Sequence, residues 1–86
     1  MRSFIKNYIY KITIYDIKNF GIKNGIVLSD DELSILEFHL KNNWEKILYG
    51  NPSPIIREIE SNFDKAKSEK IINLFNIYKE KYKYYL

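Results

Sequence analysis

Eighty-six residues, 45% of them apolar and 16% aromatic, suffice for one domain, near the lower size limit for a single core. The absence of Cys excludes disulfides and thiolate metal sites and suits a reducing, cytoplasmic compartment. The net charge of +3 is uneven: residues 1–23 carry +4, residues 24–64 carry −5 and residues 65–86 carry +4.

No apolar run approaches the roughly 18 residues of a membrane span. The first stretch, MRSFIKNYIYKI, is interrupted by Asn, Lys and Tyr and has no small-residue cleavage site, which argues against a signal peptide. Richness in Ile, Lys, Asn and Tyr suits a bacterial, AT-rich genome and accounts for much of the basic charge. Basic ends beside an acidic middle attract each other within one fold; the sharper alternative is a polyanion-binding surface made by both ends.

In chain order, Ser3 is placed to cap a first helix running through Ile12. Phe4, Ile5, Tyr8, Ile9 and Ile12 form its apolar stripe, with Lys6 and Lys11 off it. The β-branched and aromatic content would also suit a strand. The apolar residues do not alternate strictly, so a helix is expected. Thr13 and Asp16 form a second cap pattern, opening a helix through Lys23 with Ile14, Ile17, Phe20 and Gly21 inward. Gly21 costs about 1 kcal/mol against Ala inside a helix, and close approach of a neighbouring helix is the expected compensation. Asn24-Gly25 ends this helix with Gly25 left-handed, and Ile26 and Leu28 dip into the core.

The longest signal runs from Ser29 to Tyr49. Ser29 and Glu32 make a capping box, and Asp30, Asp31 and Glu32 suit the positive end of the helix dipole. Leu33, Leu36, Leu40, Trp44, Ile47 and Leu48 then share one face, and Gly50 is the stop. At ~1.5 Å per residue this is a rod about 28 Å long, the hub on which the other helices are expected to pack. The helix–loop–helix before it is superficially similar to a helix-turn-helix. A DNA-reading helix would present its first turn to bases or phosphate, and here that turn is acidic.

Beyond Gly50, Ser53 is the expected cap and Pro54 the first residue of a short helix carrying Ile55, Ile56 and Ile59, with Phe63 near its end. Asp64 caps the last helix, whose stripe is Ile71, Leu74, Phe75, Tyr78, Tyr82 and Tyr85. The fold class is therefore all-α: residues 1–86 as a single domain, a compact bundle of four to five short helices around a central helix at about 30–48.

Several short stretches share a pattern: Thr13 with Asp16 and Ile17, Asn24-Gly25-Ile26, Leu28-Ser29, Ile35 to Leu40 with Asn42 and Asn43, Glu58-Ile59, and Asn73-Leu74-Phe75. In this order, over about three quarters of the chain, they resemble the YqfT-like domain-of-unknown-function family of short helical proteins from Bacilli. The resemblance implies a helical fold and carries no activity or site.

No catalytic constellation is legible. His39 is a lone imidazole, read as a surface or packing residue without metal partners at ligand spacing. Glu58 and Glu60 point different ways on a helix, and the acidic triplet lacks the pattern of a calcium loop. Gly21, Gly25 and Gly50 are scattered, so there is no phosphate loop. The expectation is a non-enzyme with no cofactor and no metal. Two candidate surfaces remain. Trp44 with Tyr49 suits a protein partner or a homodimer if exposed. Lys79, Lys81, Tyr82, Lys83 and Tyr84 interleave cations with rings, as single-stranded nucleic acid would require, although inward Tyr packing explains the same pattern. An interaction module binding a protein or itself is the expected function, and nucleic-acid binding is the alternative.

Overall fold

The computed structural model describes residues 2–82, and Lys83, Tyr84 and Tyr85 of the expected tail lie outside the described residues. The described residues form α1 (Arg2–Lys11), α2 (Ile14–Lys23), α3 (Asp30–Leu48), α4 (Ser53–Asn62) and α5 (Lys65–Tyr82). The chain is an all-α bundle, and α1, α2, α4 and α5 each pack on α3. Its radius of gyration, 12.3 Å, is close to the ~12 Å of a compact fold this long.

Local chemistry sets most boundaries. Thr13 and Asp16 form a reciprocal box: the Thr13 N–H donates to Asp16 Oδ2 at 2.9 Å, and the Asp16 N–H donates to Thr13 Oγ1 at 3.2 Å. Ser29 and Glu32 repeat it at the start of α3, at 2.9 and 3.2 Å. Gly25 is left-handed at φ 76°, and Ile26 and Leu28 after it are buried while Val27 between them faces out. At the start of α5, Asp64 Oδ1 accepts the Lys67 N–H at 2.8 Å.

Four local expectations are corrected. α1 begins at Arg2, so Ser3 lies in its first turn rather than capping it. Ser53 is the first residue of α4, after Pro52; its N–H is taken by Asn51 Oδ1 at 3.1 Å, and Pro54 follows one position later than expected. Gly21 is pressed by the loop after its own helix, not by another helix. A Cβ there would stand 2.9 Å from the Ile26 carbonyl oxygen, which is held close because the Ile26 N–H donates to the Gly21 carbonyl at 2.8 Å. Finally, α3 is not a straight rod. Asn43 has non-helical dihedrals (φ −131°, ψ 16°) and its amide nitrogen lies 3.2 Å from His39 Nδ1. A short polar side chain that bonds locally bends the helix there, and the last turn with Trp44, Ile47 and Leu48 sets off on a new axis.

Leu33 and Ile59 are the most completely enclosed side chains, where α3 meets α4. The buried Ser68 hydroxyl faces the carbonyls of Ile59 (3.4 Å) and Phe63 (3.3 Å), fastening α5 to α4. Three lysines reach backbone carbonyls at chain reversals: Lys41 to Tyr10, Lys70 to Gly25 and Lys79 to Gly50. Each places a cation at the negative end of a helix or the turn after it. No helix among the described residues is long and apolar enough to cross a membrane.

Candidate functional site

The helices α1 and α5 flank an apolar cleft. Its volume is about 550 Å³, within the range of roughly 300–1,000 Å³ typical of ligand-sized sites. The floor is the apolar face of α3, from Leu36 through Leu40, Trp44 and Ile47 to Leu48. One wall is α1, through Ile5, Ile9 and Ile12, continued by Ile17 and Phe20 of α2. The opposite wall is α5, through Ile71, Leu74, Phe75, Tyr78 and Tyr82. The Phe20 and Tyr78 rings meet at a centroid distance of 5.6 Å, so the α2 and α5 walls touch at that point.

The margin is as informative as the interior. Phe4 and Tyr8 line the cleft yet are 75% and 65% exposed. Their positions follow from the α1 stripe: Ile5 and Ile9 face α3, and the stripe is too wide for α3 alone to cover.

Trp44, on the apolar face of α3 as its spacing predicts, is a core residue at 6% exposure, so the exposure on which a Trp44–Tyr49 partner surface depended is not present. It lies edge-on to half-buried Tyr49 at 6.4 Å and contributes to the cleft floor, so the Trp44–Tyr49 pair projects from no face. The spacing of Trp44, four from Leu40 and three from Ile47 on the α3 stripe, is the physical reason. Lys79 and Lys81 are not brought together on a stacking platform. Lys79 donates to the Gly50 carbonyl, whereas the Lys81 ammonium lies 5.7 and 5.8 Å from the Tyr78 and Tyr82 rings. Those two rings stack nearly parallel at 6.3 Å and pack against the core. Lys83 and Tyr84 lie outside the described residues.

His39 is a packing residue, one of the two readings its lone imidazole allowed, but its partners were not expected. It is 4% exposed, with Nε2 2.8 Å from Glu58 Oε2 on α4 and Nδ1 beside Asn43. Its place one turn after Ile35 and Leu36 was the available signal; the Glu58 partner on another helix was not readable. Glu58 is 63% exposed, so the contact spans from core to solvent. No group of three or more His, Cys, Asp or Glu able to hold a metal occurs among the described residues.

No family model, curated protein or solved structure matches this chain.

Proposed function

We propose that this chain is a non-catalytic, cytoplasmic interaction module that docks an apolar helix of a protein partner in the cleft between α1 and α5. The observation that carries the reading is the cleft with its exposed margin. An apolar hollow of about 550 Å³ flanked by Phe4 and Tyr8 offers shape and surface with few polar atoms to orient a polar small molecule. The described residues offer no sheet edge to extend, which favours helix-in-groove docking as the recognition mode. Burying the Phe4 side chain would contribute about 1.5–3 kcal/mol. Large exposed aromatics on a concave margin are the composition of binding hot spots.

Among the described residues no matched acid and base line the cleft, which supports the non-catalytic part. His39 and Glu58 are in contact, but His39 is enclosed and outside the cleft lining. Kinship with the YqfT-like family remains part of the proposal and adds only a helical fold to it.

The experiment is chemical-shift mapping of the labelled chain with a synthetic amphipathic helix bearing a leucine stripe and a glutamine polar face. Shifts confined to the methyls of Ile9, Leu40, Leu74 and their neighbours are expected. Absence of shifts at high peptide excess, or shifts gathered around α4, would remove the reading.

A further inference from the structure

We propose that the helix received by the cleft is acidic on its polar face, so that its carboxylates meet the basic helices that wall the cleft. This rests on the docking reading above and names the chemistry of the partner. The three helices around the opening are the basic ones. α1 holds three cations and no acid, α2 two cations against one acid, and α5 five against two. Of the two acidic helices, α3 meets the cleft only through the apolar residues Leu36, Leu40, Trp44, Ile47 and Leu48, and α4 contributes no lining residue among those described.

The local arrangement agrees with this distribution. The Lys81 ammonium is poised against Tyr78 and Tyr82, both of which line the cleft. Asp16, the acid along the lining, has Oδ2 already engaged by the Thr13 N–H. Lys81 is thus the cation placed beside the lining, Lys67, Lys70 and Lys79 being engaged at Glu32 and at the Gly25 and Gly50 carbonyls. Net positive charge on the flanking helices raises association rates for an anionic partner and discriminates against a cationic one.

Three other occupants fit less well. An acyl chain sunk in the hollow would leave Phe4 and Tyr8 bare, whereas a helix about 10–12 Å across covers hollow and margin together. A second copy docked face to face would set basic walls against basic walls. A nucleic acid strand would meet the charge but has no aliphatic face for Ile5, Ile9 and Leu74.

The test uses the full chain and three dye-labelled synthetic helices with one leucine stripe and polar faces of Glu, Gln or Lys. Anisotropy is read at about 25 and about 200 mM salt, where screening differs severalfold. The Glu peptide is expected to bind about tenfold more tightly than the Gln peptide at low salt and to lose most of that advantage at high salt, with the Lys peptide weakest. Lys81→Glu should weaken the Glu peptide and strengthen the Lys peptide, an opposite pair of changes that misfolding cannot produce. Equal binding of all three peptides overturns the charge assignment and leaves docking intact. Binding of none overturns docking itself. Displacement of the Glu peptide by equimolar oligothymidine or oleate overturns the choice of occupant. So does a dimer in sedimentation that Tyr8→Glu abolishes.

Discussion

Lys67 Nζ lies 2.9 Å from Glu32 Oε1, the same oxygen that accepts the Ser29 N–H. One carboxylate thus closes the local cap of α3 and ties it to the first turn of α5, 35 residues away. Both partners are partly shielded, at 15% and 30% side-chain exposure, so the pair is better protected than a surface ion pair.

Burial by itself would raise the Glu32 pKa, but the Ser29 N–H and the Lys67 ammonium outweigh it and hold the carboxyl below its ordinary 4.5. A carboxyl lowered on folding contributes stability that is complete above the unfolded value and lost as pH falls through the folded one. Glu32→Gln should therefore cost about 1–2 kcal/mol at neutral pH. Urea midpoints against pH should show a constant gap from pH 7 down to about 5 that narrows below 4.5.

Gly21→Ala sets helix propensity against space. The added methyl gains about 1 kcal/mol of propensity. It also stands 2.9 Å from the Ile26 carbonyl and 3.3 Å from Leu28 Cδ1. The carbonyl is backbone fixed by a hydrogen bond, so the loop must shift, and net destabilisation of about 1–2 kcal/mol is expected. Equilibrium unfolding in urea checks this; a stabilised variant would show that the loop yields freely.

His39→Ala should destabilise by about 2–4 kcal/mol, because it empties an enclosed site and leaves Asn43 without its partner at the kink. Glu58→Ala removes an exposed carboxylate and should cost less than about 1 kcal/mol. The inequality is the prediction, and comparable losses in thermal unfolding would mean that the Glu58 contact, not enclosure of the ring, is what matters.

Phe4→Ser and Tyr8→Ser together should leave unfolding unchanged within about 0.5 kcal/mol per site, since both side chains are largely in solvent. The same pair should abolish peptide docking as read by anisotropy. A variant that unfolds at much lower urea would place these rings in the core.

The boundaries of α2, α3 and α5 were legible because each rests on residues three apart: Thr13 with Asp16, Ser29 with Glu32, and Asp64 with the Lys67 N–H. Gly25 was legible for the same reason, since one residue sets its turn. Burial of Ile17, Leu33, Ile55 and Ile71 followed from helical spacing. The kink at Asn43 was hidden because the apolar period from Leu33 to Leu48 runs through it without a break. The cleft was hidden for a deeper reason. Periodicity marks Ile5 and Tyr8 alike as inward, and only the placement of α1 and α5 on α3 decides that Ile5 is covered and Tyr8 is not. Burial of Trp44 was legible too, from its spacing of four from Leu40 and three from Ile47.

The openness of the cleft is tested most directly by solvent paramagnetic relaxation of assigned methyl groups with a soluble nitroxide. Leu40 and Leu74, half-buried and lining the cleft, should broaden markedly, while Leu33 and Ile59, at 1% and 0% exposure, should not. Equal protection of all four methyls would mean that the hollow is closed in solution and that no docking surface exists there.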